Sequence, residues 1–73
     1  MNDLYERLAN AIILQAVKDY RNVLKRLKKH PNREIDLYMK QEVERFFRSG
    51  WYSCLTTVDP EILISKLNEE VIS

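Results

Sequence analysis

Five cationic side chains, Lys18, Arg21, Lys25, Lys28 and Lys29, fall at spacings of three, four, three and one. On a helix of about 3.6 residues per turn such spacings share one side, together with Arg7. Grouped ammonium and guanidinium groups recognise anions: phosphates, carboxylates or the acidic surface of a protein. The same lysines also suit an ordinary solvated helix end, where basic residues complement the dipole. A second group lies near the chain's only glycine, where Arg45, Arg48 and Tyr52 could hold a phosphate through forked hydrogen bonds. The plainer reading of those three is two surface arginines and a tyrosine at the rim of the core.

Residue types that perform catalysis are sparse. The single histidine, His30, precedes a proline among lysines and reads as a solvated turn residue. The single cysteine, Cys54, has no activating base beside it in sequence and reads as a small buried hydrophobe. Glu42 and Glu44 point to different sides of a helix and do not form a carboxylate pair. One glycine excludes a glycine-rich phosphate loop. No catalytic residue, metal ligand or cofactor-binding residue is therefore expected, and the chain reads as a non-enzyme that uses no cofactor.

The elements that position these groups follow from periodicity. Asp3 with Glu6 forms a capping box. Tyr5, Leu8, Ala9, Ile12, Ile13, Ala16, Val17, Tyr20, Val23, Leu24 and Leu27 then recur at steps of three and four. Nothing interrupts them before His30-Pro31, which predicts a helix over about 4–29, on the order of 40 Å long. That exceeds what a small domain buries, so either its C-terminal half protrudes or a second copy covers it. Asn32 is placed to cap a second helix over about 33–49, whose stripe is Ile35, Met39, Val43, Phe46 and Phe47. Gly50 is placed to end it through a positive φ. Trp51, Cys54, Leu55 and Val58 suggest a short helix over about 51–57. Asp59-Pro60-Glu61, an N-cap acid, a first-turn proline and a further acid, starts the last helix over about 60–71. The class is all-α: a long helical hairpin plus two shorter helices, in one domain spanning 1–73.

Four of the seven aromatic residues crowd into Phe46, Phe47, Trp51 and Tyr52, which makes the corner around Gly50 the nucleus of the core. At 45% hydrophobic the chain is apolar enough to fold, yet 73 residues make a core that self-association would help. Leu14, Leu37 and Tyr38 lie off the apolar stripes and are the expected oligomer contacts. A formal net charge of +1 conceals an asymmetry: seven basic residues from Lys18 to Arg33 face Asp19 alone, a local +6. A lone cysteine suits a reducing compartment, and the longest N-terminal apolar run, Ala11 to Leu14, is too short for a signal core or a membrane span. A helix-turn-helix reading around Ser49-Gly50 fails, because Phe46 stands where a small residue is needed and the following segment has no basic residue before Lys66.

Leu14-Gln15-Ala16-Val17-Lys18-Asp19-Tyr20-Arg21 and Glu44-Arg45-Phe46-Phe47-Arg48-Ser49-Gly50-Trp51, with Asp59-Pro60-Glu61-Ile62-Leu63-Ile64, resemble a family of small uncharacterised helical proteins. That family is encoded by prophages and mobile elements of Gram-positive bacteria. The resemblance implies a setting, the cytoplasm of a bacterial host, and carries no site residues. The expectation is a homo-oligomeric interaction protein that modulates host machinery or counters host defence. It would do so by binding a host protein or sequestering an anionic, nucleotide-like ligand. The alternative is a non-specific nucleic-acid-binding or replication accessory protein using the basic ridge, although Asp19 and the net negative remainder make such binding weak.

Overall fold

The structure is a computed structural model that describes residues 3–72, with four helices among them: α1 (Asp3–Lys29), α2 (Glu34–Phe47), α3 (Gly50–Leu55) and α4 (Pro60–Ile72). The side chain of Asp3 lies outside what is described, and the expected capping box with it. No strand occurs among the described residues. The all-α class, the hairpin and the two shorter helices match the expectation, with α2 and α3 each about two residues shorter at their C-terminal ends.

Long-range bonds set the directions. Tyr20 of α1 meets Glu44 of α2 and Arg26 meets Asp36, so α2 runs antiparallel to α1. Tyr20 also meets Asn68, and Lys28 meets Val71, so α4 runs parallel to α1 and ends beside it. Between them Val17, Tyr20, Leu24, Phe47, Tyr52, Ile64 and Leu67 form the buried core. Its centre is aromatic: Tyr20 and Phe47 meet edge-on with centroids 5.7 Å apart, and Phe47 meets Tyr52 edge-on at 5.7 Å. Such pairs add stabilisation of about 0.5–1.5 kcal/mol each beyond their area.

Five expectations change. Tyr52 is 1% exposed and belongs to the core, not its rim, because α3 turns it under Phe46 and Phe47. Tyr52 and Leu55 take the inward side of α3, which leaves Cys54 exposed. Gly50 has no positive φ; it is the first residue of α3, and Ser49 makes the corner by capping α3, its Oγ accepting from the Tyr52 N–H at 3.2 Å. Arg33, in extended conformation, takes the N-cap position of α2 in place of Asn32 and makes no side-chain cap bond. The inward line of α2 runs Asp36, Lys40, Val43, Phe47, so Ile35 and Met39 stay exposed at its flank. The two polar residues on that line are paired, Asp36 with Arg26 at 2.9 Å and Lys40 with Glu44 at 2.7 Å, which is what lets them face inward.

The overlong first helix also behaves differently. Its C-terminal half is held between α2 and α4, and its N-terminal half is the part left with little cover. Leu4 is 71% and Leu8 56% exposed. Of the other helices, α3 reaches this arm, where the Tyr5 hydroxyl donates to the Cys54 carbonyl at 3.3 Å. The molecule is accordingly elongated, 45 × 23 × 18 Å, with a radius of gyration of 13.2 Å. A compact chain of this length would show about 11 Å.

Candidate functional site

Parallel packing of α4 on α1 brings both C-terminal ends to the same end of the molecule. Each end presents unsatisfied carbonyls and the negative end of a helix dipole, so cations gather there for a physical reason. Lys28 serves that role directly, its Nζ donating to the Val71 carbonyl at 2.9 Å. Around this end opens a cleft of about 660 Å³, lined by Arg21, Lys25, Lys28, Lys29, Glu70 and Val71. Four of the five ridge cations named from the sequence therefore converge on one cavity. The fifth, Lys18, lies exposed about two turns back on the line of Lys25.

Not all of that charge is available. Arg21 is engaged as a fork by Glu70, with Nε to Oε1 at 2.8 Å and Nη2 to Oε2 at 3.1 Å. The Arg21 guanidinium holds the Glu70 carboxyl below the usual carboxylate range, first by that hydrogen bond and then by its charge, with Lys25 adding to the effect. Lys18, Lys25 and Lys29 make no ion pair with a described residue, so the open charge of the cleft rests on Lys25 and Lys29, with Lys28 half engaged.

A second, apolar groove of about 420 Å³ adjoins the cleft and shares Lys28 and Val71 with it. Leu24 and Leu27 line it, with Lys40 at its far side. The two together form an amphipathic site: an apolar floor on one side of Lys28 and open ammonium groups on the other.

The second expected group does not assemble. Arg45 sits on the outer side of α2 and pairs with Glu42 at 3.2 Å. Arg48 is already forked, with Nε to Glu61 Oε2 at 2.7 Å and Nη2 to Oε1 at 2.9 Å, and lies 3.6 Å from Glu44. The Arg48 guanidinium in turn depresses the Glu61 carboxyl. Tyr52 is buried, with no hydrogen-bond partner for its hydroxyl among the described residues, and burial followed by the Asp59 charge pushes its phenol up. The anions that hold Arg21 and Arg48 are thus the chain's own. No local pattern shows Glu70 to be the partner of Arg21, because 49 residues separate them. The only sequence signal is the negative surplus outside the basic stretch.

Leu14, Leu37 and Tyr38 are exposed as expected, but about 100° separates Leu37 from Tyr38 on α2 and Leu14 lies beside Arg7 and Lys18, so they do not make one surface. His30 is exposed in the α1–α2 turn. Among the described residues no three His, Cys, Asp or Glu side chains group as metal ligands, and no helix is long and apolar enough to cross a membrane. No protein-family model matches the chain, and neither a curated protein nor a solved structure is significantly similar to it.

Proposed function

We propose that this chain is a small non-enzymatic binding protein that sequesters an anionic, nucleotide-like ligand at the shared end of α1 and α4. The observation that carries the reading is the join of two cavities at Lys28, one lined by Arg21, Lys25 and Lys29, the other by Leu24 and Leu27. A ligand with a planar apolar part and a phosphate matches both halves: the ring covers leucine, the phosphate meets Lys25 and Lys29. Each of the two cavities, about 660 and 420 Å³, is within the size range of small-molecule sites, roughly 300–1,000 Å³. The setting that goes with this reading is the cytoplasm of a bacterial host, where a mobile-element protein would act by withholding a signal or cofactor from host machinery.

Calorimetric titration with a nucleoside triphosphate, set against inorganic triphosphate, tests it. The nucleotide is expected to bind at least ~10-fold more tightly than the inorganic ion, since only it fills the leucine groove. Lys25→Glu/Lys29→Glu, which removes no hydrogen bond or ion pair among the described residues, is expected to abolish both. Equal affinity, or no nucleotide binding at millimolar concentration, overturns the reading. Random duplex DNA is the competing outcome. If the ridge from Lys18 to Lys29 neutralises about five phosphates, the log–log salt slope is about −4.5. Tight duplex binding with that slope would replace the nucleotide by nucleic acid.

A further inference from the structure

The uncovered arm of α1 carries apolar residues in a regular order. Leu4, Leu8 and Ile12 stand four apart and form one ridge, with Tyr5 beside it, all exposed. Arg26 lies five full turns after Leu8 on the same line of α1 and approaches the sulfur of Met39 at 3.8 Å. The ridge and the Met39 flank of α2 therefore border the same side of the molecule. Phe46 continues that flank two turns after Met39 and holds Trp51 edge-on at 5.9 Å, with Trp51 62% exposed. One side of the protein thus presents the α1 ridge and the α3 indole together.

From this arrangement we infer that the face seats a second copy of the chain, with the Leu4–Leu8–Ile12 ridges of two α1 helices crossing about a two-fold axis near Leu8. Area supports it. The accessible surface is 5525 Å², whereas a folded monomer of 8.8 kDa exposes about 4,800 Å². The excess, roughly 700 Å², is close to the ~800 Å² each partner buries in a standard interface. Charge supports it too. Residues 4–17 carry only Glu6 and Arg7, so two arms meet without repulsion, while the Lys18–Arg33 stretch at +6 keeps the basic ends apart. Four-residue ridges interlocking is also the commonest way two helices pack.

Trp51 is the only tryptophan and so reports on the face directly. The intact chain is to be followed by sedimentation equilibrium and by tryptophan emission up to about 100 µM. A mass twice that of one chain is expected, with emission moving to shorter wavelength as concentration rises. Leu8→Asp is expected to weaken association at least ~100-fold and to hold the emission at the long-wavelength position. Its helical circular dichroism should match the parent, since Leu8 is exposed, and Leu4→Lys serves as a second variant. Lys25→Glu/Lys29→Glu should remain a dimer, which keeps this inference separate from the ligand site. A monomer at the highest concentration overturns it and leaves the face to a different protein. A dimer indifferent to Leu8→Asp and Leu4→Lys overturns it as well.

Discussion

Two buried tyrosines show how much depends on where one hydroxyl goes. Tyr20 donates to the Glu44 carboxylate and accepts from Asn68 Nδ2 at 3.1 Å, so its oxygen joins α1, α2 and α4. Burial first, then the hydrogen bond to Glu44, pushes its phenol well above the ordinary tyrosine value, which keeps it a donor at any physiological pH. The Tyr52 hydroxyl is equally buried and has no partner among the described residues. A hydrogen bond to a charged group contributes about 1.5–3 kcal/mol, whereas a buried unpaired hydroxyl costs stability. Tyr20→Phe is therefore expected to lower the thermal midpoint by about 4–8 °C for each kcal/mol lost. Tyr52→Phe, with the same atom removed from the other tyrosine that meets Phe47, should leave the midpoint unchanged or raise it. Thermal denaturation of the two variants at equal concentration decides, and a larger loss in Tyr52→Phe would mean that its hydroxyl is bonded after all.

Among the elements, the corner between α2 and α3 depends on its serine more than on its glycine. Ser49 Oγ donates to the Phe46 carbonyl at 2.6 Å and accepts from the Tyr52 N–H, closing one helix and opening the next. Gly50 has no positive φ, and a Cβ placed on it meets nothing within 4 Å. Gly50→Ala should then stabilise by about 0.4–1 kcal/mol, read from urea denaturation, by narrowing the unfolded ensemble. Ser49→Ala should cost about 1 kcal/mol. A loss in Gly50→Ala would show that the corner needs glycine. The next corner, between α3 and α4, shows what a sequence discloses. Asp59-Pro60-Glu61 marks the start of α4 unmistakably, and Asp59 Oδ1 does accept from the Glu61 N–H at 2.8 Å, because capping is settled within three residues. The end of α1 before His30-Pro31 and the buried part of its stripe, Val17, Tyr20 and Leu24, are likewise local. Which line of α2 faces inward is not: Asp36 and Lys40 displace Ile35 and Met39 only because Arg26 and Glu44 are there to pair with them. The basic ridge was legible as a helix face. Its union with Glu70 and with the Leu24–Leu27 groove depends on α4 lying parallel to α1, which no spacing states.

At the scale of the whole molecule, carboxylates fasten the helices to one another, and this sets the response to acid. Glu44 joins α2 to Tyr20 of α1, Glu61 joins α4 to Arg48 at the end of α2, and Glu70 joins α4 to Arg21 of α1. Burial alone would raise the Glu44 carboxyl, but hydrogen bonds from Lys40 and Tyr20 outweigh it, aided by the Lys40 and Arg48 charges, and hold it below the ordinary 4.5. Glu61 and Glu70 are likewise lowered by their arginines. A carboxyl whose pKa falls on folding binds its proton more weakly in the folded chain than in the unfolded one. Its stabilisation is complete above about pH 4.5 and disappears as pH falls through the lower folded value. The three groups differ in shelter. Glu61 and Glu70 pair in open solvent, where salt screens them and exposed ion pairs contribute little. The Glu44 side chain is only 15% exposed. Urea midpoints measured across the acid range should therefore be flat near neutrality and decline below pH 4.5. Glu44→Gln should remove most of that decline and most of its persistence in high salt, whereas Glu61→Gln/Glu70→Gln should leave the high-salt profile nearly intact. If the double variant flattens the profile more than Glu44→Gln does, the exposed pairs on α4 govern acid stability, and Glu44 is incidental to it.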